Sequence, residues 1–219
     1  MNKPSRRGPS AGPAASAAGK VRIIGGRWRG TRLLVPDLPG LRPTSDRVRE
    51  TLFNWLMPML PGARVLDVFA GSGTLGLEAL SRGAASATLV ERDPVLAGAL
   101  RTLVARLPGG DAANVVQADA LTWLTTQPEA TFDLALVDPP FSAGLWNQVL
   151  PVVAARLKPE AWLYVEAPHD AAAEPPAPWR LHREGRTREV RYALYRRSAD
   201  TAATLPASPA SPDSGASDR

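Results

Sequence analysis

Asp138-Pro139-Pro140-Phe141 places an acid, two rigid prolines and an aromatic ring within four positions. The exocyclic amino group of a nucleic-acid base is a poor nucleophile, because its lone pair is delocalised into the ring. Acceptors aimed at its N–H bonds favour the pyramidal nitrogen that forms during attack, and the Asp138 carboxylate with the Pro139 carbonyl would supply two of them. Proline restricts φ, so Pro139 and Pro140 set the direction of that carbonyl. Phe141 offers a flat face on which a base can stack. These four are the candidate catalytic residues.

A second constellation runs Asp67-Val-Phe69-Ala-Gly71-Ser72-Gly73-Thr-Leu-Gly76. Gly71, Gly73 and Gly76 match G-x-G-x-x-G, and Glu91 follows 15 residues later. Alone, this reads as a dinucleotide-binding turn. Asp67 shifts the reading. A carboxylate beside a helix N-terminus would repel a pyrophosphate, whereas it suits the ammonium and sulfonium of S-adenosylmethionine. Asp67, Glu91, Asp119 and Asp138 fall at or just past the ends of four successive predicted strands, so they share one rim. There Glu91 would accept from both hydroxyls of a ribose, and Asp119 with the backbone of Ala120 would meet an adenine. The expected cofactor site comprises Asp67, Phe69, Gly71, Ser72, Gly73, Glu91, Arg92, Asp119 and Ala120. It would hold S-adenosyl-L-methionine, release S-adenosyl-L-homocysteine and need no metal.

Those residues need a parallel sheet to position them. Short apolar runs at 64–69, 87–91, 114–117, 132–138 and 161–166 predict strands. Helices are predicted over 74–82, 94–107 and 120–126, with Pro94 in a first turn, and another within 144–157, kinked or restarted at Pro151. Residues 179–182 and 189–195 read as two antiparallel strands around Gly185. Alternation of this kind predicts a doubly wound, Rossmann-like α/β fold with helices on both faces. Ahead of it, two β-prone runs around Gly25-Gly26 predict a hairpin, and 36–43 a loop. Asp46 to Leu56 predicts a helix with Val48, Leu52, Trp55 and Leu56 on one stripe, Thr44 or Asp46 as its cap and Pro58 as its stop. Arg47, Arg49 and Glu50 fall off that stripe.

The 219 residues, 44% hydrophobic, suffice for one sizeable core. Residues 1–19 and 198–219 are rich in Pro, Ala and Ser and predict disordered tails, leaving 20–197 as one domain: an extension over 20–60 and a core over 61–197. The net charge of +5 is unevenly spread. Residues 20–49 carry eight basic and two acidic side chains, residues 179–197 seven and two, and residues 50–178 seven and fourteen. Basic flanks around an acidic middle suggest a phosphate-binding surface. With no cysteine, disulfides, iron–sulfur clusters and methylation through a cysteine adduct are excluded. His169 and His182 read as isolated surface residues. No apolar run reaches the roughly 18 residues of a membrane span, and the N-terminus lacks a secretory apolar region, so a cytoplasmic protein is expected.

Motifs of this kind resemble those of class I methyltransferases with a D/N-P-P-Y/F motif, which modify amino nitrogens. Arg22-Ile-Ile-Gly-Gly-Arg27-Trp-Arg29-Gly-Thr-Arg32-Leu and Arg42-Pro-Thr-Ser-Asp-Arg47-Val-Arg49-Glu-Thr-Leu-Phe-Asn-Trp55 narrow the resemblance to the bacterial 16S rRNA (guanine(966)-N(2))-methyltransferase family, the RsmD type. It implies a seven-stranded, mostly parallel sheet with an N-terminal β-hairpin, and 16S ribosomal RNA in an assembled small subunit as partner. It also implies that Arg42, Arg47 and Arg49 contact RNA near the active-site entrance. Arg22, Arg27, Arg29 and Arg32 of the basic opening are further RNA candidates, since arginine forks match phosphates and guanine edges. A monomer is expected. Three alternatives stand beside this reading: N5 methylation of a protein glutamine or N6 methylation of adenine, a nicotinamide-dependent oxidoreductase, and a non-catalytic RNA-binding module.

Overall fold

Successive side chains of a strand point to opposite faces, and the central strands of this chain are apolar on both. Val65, Leu89, Leu134 and Leu136 join one buried cluster, while Leu66, Val90, Ala135 and Val137 join another. A sheet buried on both faces needs helices on both. The computed structural model describes residues 19–35, 44–171 and 173–197. The predicted tails, apart from Gly19, the loop after Val35 and Arg42 lie outside the described residues.

Strands β1 (Gly19–Arg22) and β2 (Arg32–Val35) pair antiparallel as a separate hairpin, and α1 (Asp46–Leu56) follows. Then β3 (Arg64–Asp67), α2 (Thr74–Ser81), β4 (Ser86–Glu91), α3 (Pro94–Val104), β5 (Ala113–Gln117), α4 (Ala120–Thr125), β6 (Phe132–Val137), α5 (Trp146–Arg156) and β7 (Leu157–Pro168) alternate. β8 (Trp179–Arg186) and β9 (Val190–Arg197) close the chain as a second hairpin. The seven strands lie in the order β5-β4-β3-β6-β7-β9-β8. β3 to β7 run parallel, and β9 is antiparallel to both its neighbours. Buried side chains of α1, α2 and α3 share one cluster, and those of α4 and α5 share the other. The strand order reverses between β3 and β6, where sheets of this kind open a crevice at the strand carboxyl ends.

Three local expectations differ. Ser45, not Thr44 or Asp46, caps α1, its side chain accepting from the Val48 N–H at 3.3 Å. α5 runs through Pro151 without a restart. β7 is longer than its apolar run, because a register irregularity between Phe132 and Leu134 lets it begin at Leu157, ahead of Pro159.

The N-terminal hairpin is anchored to α2 by one buried acid. The two oxygens of Glu78 accept the backbone N–H groups of Ile24 and Gly25, both at 2.8 Å. The same carboxylate pairs with Arg49 of α1 at 3.5 Å and with Arg82 at 2.7 Å. Ser81 adds bonds to the Gly25 carbonyl and the Trp28 N–H. Arg49 is therefore corrected as an RNA contact. It is fully buried, on the face shared by Val48, Leu52, Phe53 and Leu56, and its guanidinium is taken up by Glu78, Asp46 and the Arg22 carbonyl. Arg22, Arg27, Arg29, Arg32 and Arg47 are exposed.

Candidate active site

Five carboxylates stand along the sheet's carboxyl-end rim in spatial order. Asp119 follows β5, Glu91 ends β4, Asp67 ends β3, Asp138 follows β6 and Glu166 lies near the end of β7. All five line one cavity of about 1020 Å³. That volume is at the upper end of small-molecule sites, enough for a cofactor and part of a second substrate.

The glycine loop after β3 forms the floor at the switch point. Gly73 is the N-cap of α2 with φ +76°, a left-handed conformation that a side chain would strain. A Cβ there would also lie 2.5 Å from Leu100. Gly76 has a different task. A Cβ on it would sit 2.1 Å from the Leu89 side chain, so the third glycine lets α2 pack closely on β4. Asp67 is buried and accepts the Gly76 N–H at 2.9 Å. Burial pushes its carboxyl up to about 7, the charge of Glu91 adds to that, and the Gly76 and Phe69 N–H groups oppose it. Glu91 accepts from the Gly71 N–H at 2.8 Å and the Asp93 N–H at 2.7 Å, which binds the loop to β4. Each oxygen keeps a further lone pair for a ligand hydroxyl. Ser72 is buried against Thr74, their hydroxyls 2.6 Å apart. Asp119 caps α4 through the Thr122 N–H at 3.0 Å, and Ala120 is buried beside it. Phe69 and Arg92 also line the cavity. Eight of the nine residues of the predicted cofactor site thus border one space; Gly73 lies outside the lining and serves as the N-cap of α2.

The Asp138 motif closes the opposite wall. Pro139, Pro140 and Phe141 line the cavity with Asp138. Phe141 begins a short 3-10 turn, in which the Ala143 N–H donates to the Pro140 carbonyl at 2.9 Å. Its ring lies 5.9 Å from that of Trp146, tilted by 52°. Burial pushes the Asp138 carboxyl well above the ordinary range, and the Glu166 and Asp67 charges push the same way, against one bond from Thr44.

Sequence reasoning missed three residues here. Thr44 Oγ1 lies 3.2 Å from both Asp138 Oδ2 and Glu166 Oε2. Glu166 also accepts from the Tyr164 hydroxyl at 2.8 Å. Its signal was an acid interrupting the apolar run Ala161–Ala167; in the fold Val165 pairs with Val137, Glu166 comes next on β7 and Asp138 follows the end of β6. Arg188 reaches the cavity mouth on the β8–β9 turn. That turn is bonded by Thr187, whose N–H donates to the Val190 carbonyl at 2.8 Å and whose hydroxyl accepts the Val190 N–H at 3.0 Å.

A cavity walled by carboxylates suits a ligand carrying positive charge. It opposes the pyrophosphate of a nicotinamide cofactor, whose charge would face Glu91 and the ionised form of Asp67. The residues present therefore fit S-adenosylmethionine, with its sulfonium and ammonium.

Known proteins place the chain. The family described as Conserved hypothetical protein 95 matches residues 21–196. The chain is 48% identical over 190 residues to ribosomal RNA small subunit methyltransferase D of Escherichia coli strain K12, covering 85% of this chain and 95% of that protein. It is 44% identical over 184 residues to the protein of the same name from Haemophilus influenzae, covering 82% and 95%. The solved structure of the Escherichia coli yhhF protein superposes with a TM-score of 0.75 at 46% identity, covering 83% of this chain and 99% of that one. Matched over residues 21–196, the chain belongs to the Conserved hypothetical protein 95 family, that of the ribosomal RNA small subunit methyltransferase D proteins.

Proposed function

We propose that this protein methylates the exocyclic N2 amino group of a guanine in 16S ribosomal RNA, using S-adenosyl-L-methionine. The observation that carries the reading is the meeting of Asp138 and Phe141 with Gly71 and Glu91 in one cavity. The relatives' name, ribosomal RNA small subunit methyltransferase D, supplies the RNA. The bound cofactor supplies an electrophilic methyl group. Asp67 and Glu91 hold it, Asp67 facing positive charge and Glu91 the ribose. Phe141 stacks the target base, while Asp138 and the Pro139 carbonyl accept its amino N–H bonds and direct the nitrogen lone pair into the cavity. Fixing both partners in one orientation supplies much of the rate. The methylated nitrogen must shed a proton, and the Asp138 carboxylate is the acceptor against it. Its raised pKa makes the ionised form a stronger base.

Residues 20–60 form the RNA-contacting extension in this reading, and the protein works as a cytoplasmic monomer on assembled small subunits. Among the described residues, no helix is long and apolar enough to cross a membrane. The test is transfer of a labelled methyl group to small subunits from a strain lacking its own enzyme, followed by nucleoside analysis. N2-methylguanosine is expected. N6-methyladenosine would overturn the substrate, and unlabelled RNA the class. Asp138→Ala should lower turnover by at least about a hundredfold while calorimetry still registers cofactor binding. A variant turning over at near-normal rate removes Asp138 from the chemistry.

A further inference from the structure

Glu166 has no task in the chemistry described so far, yet the fold holds it in the cavity at a cost. The residue is 5% exposed and lines the cavity with Asp138. Two hydroxyls fix it, from Thr44 at 3.2 Å and Tyr164 at 2.8 Å, and its backbone carbonyl accepts the Trp146 indole N–H at 2.9 Å. Burial and the Glu166 charge raise the Tyr164 pKa well above the ordinary phenol range, so that hydroxyl stays a donor. Thr44 bonds Asp138 as well, so one hydroxyl spans two carboxylates and sets them side by side. Placing one acid against another in a buried site opposes the ionisation of both. A neutral acceptor would satisfy Thr44 and Tyr164 equally well. What a second carboxylate adds is negative charge directed at a ligand donor.

Amino groups that compete for such a cavity differ in their neighbours. The 2-amino group of guanine adjoins N1–H, a donor. The 6-amino group of adenine adjoins N1, an acceptor, and the nitrogen of a glutamine amide adjoins its carbonyl oxygen, also an acceptor. A carboxylate beside the amino-holding site attracts the first and repels the other two. We propose that Glu166 is the specificity residue of this cavity, accepting guanine N1–H while Asp138 and Pro139 hold the adjoining 2-amino group. This rests on the amino-methylation reading given above and deepens it.

2-Aminopurine keeps the 2-amino group of guanine, replaces N1–H by a bare N1 and lacks the 6-oxo group, so the change of the ratio in Glu166 variants, not the wild-type ratio alone, reports the N1 contact. The experiment uses 16S ribosomal RNA joined from segments and reassembled into small subunits, with guanosine or 2-aminopurine riboside at the nucleotide that the wild-type protein labels. Wild type should prefer guanosine by about 10- to 100-fold in kcat/KM, the scale of one paired hydrogen-bonding contact. Glu166→Gln, whose amide can donate to N1, should bring that ratio close to one. Glu166→Asp, which withdraws the charge by one methylene, should give an intermediate ratio. The ratio is internal to each variant, so a loss of folded protein lowers both rates and leaves it unmoved. Equal wild-type rates on the two substrates overturn the proposal, and so does an unchanged ratio in Glu166→Gln. Failure of wild type to label guanosine subunits at all defeats the underlying reading instead.

Discussion

Asp67 shows how one residue can carry opposite pH effects on folding and on binding. Its carboxyl ionises at about 7 in the folded chain and near the ordinary 3.8 when unfolded. Between those values the folded protein holds the extra proton, so this group's contribution to stability falls as pH rises from about 4 to 7 and is level above. Ligand binding runs the other way, since the charged form attracts a sulfonium and an ammonium and appears only as pH rises through 7. S-adenosylmethionine affinity should therefore rise roughly tenfold between pH 6 and pH 8, measured by calorimetry, and Asp67→Asn should flatten the profile. A flat wild-type profile would mean that Asp67 does not face the positive charge. At this scale the sequence was informative for the acids Asp67, Glu91 and Asp138 near predicted strand ends, but Glu166, which ends the predicted strand 161–166, was passed over. Thr44 was not legible, because its partners lie 94 and 122 residues away and nothing in its neighbourhood signals more than a helix cap.

At the scale of elements, α1 separates two arginines that look alike in sequence. Arg47 and Arg49 are two residues apart, yet Arg47 is exposed and Arg49 fully buried. Helical geometry places residue 49 four positions before Phe53, on the face that meets α2, and Glu78 makes burial of the guanidinium tolerable. The stripe drawn through Val48, Leu52, Trp55 and Leu56 located that face but set its edge one position too far round. Phe53 marks the true edge, and Trp55 is half-buried, its ring stacked 5.6 Å from Tyr192. Arg49→Ala leaves the Glu78 charge with less compensation and should cost on the order of 3 kcal/mol in chemical denaturation. Amide exchange of Ile24 and Gly25, which donate to Glu78, should quicken with it. Arg47→Ala should leave stability within about 0.5 kcal/mol and weaken RNA binding. If the two variants unfold at the same denaturant concentration, the clamp between hairpin and α2 carries no energy.

Across the whole molecule, acids from the middle of the sequence line the cavity, and of the basic flanks Arg188 lines it as well. The doubly wound sheet was legible because each apolar run was short, bounded and followed by a helical pattern. The far edge was harder to read, since β8 is exposed along most of its length and offers little periodicity. Yet β8 and β9 carry Arg188 to the cavity mouth, opposite the N-terminal arginines in sequence. Electrostatic binding to RNA releases counterions, and log affinity falls linearly with log salt, by roughly 0.7 to 0.9 per neutralised phosphate. If Arg22, Arg27, Arg29, Arg32, Arg47 and Arg188 face RNA, a slope of about 4 to 5 is expected. Arg188→Ala alone should reduce the slope by about one and leave cofactor binding and melting temperature unchanged, because its side chain is exposed on a turn bonded through Thr187. Arg49→Ala, in contrast, should reduce affinity only as far as it unfolds the hairpin, without a matched change in slope. An Arg188→Ala protein that keeps the full salt slope would put the RNA path on the N-terminal side alone.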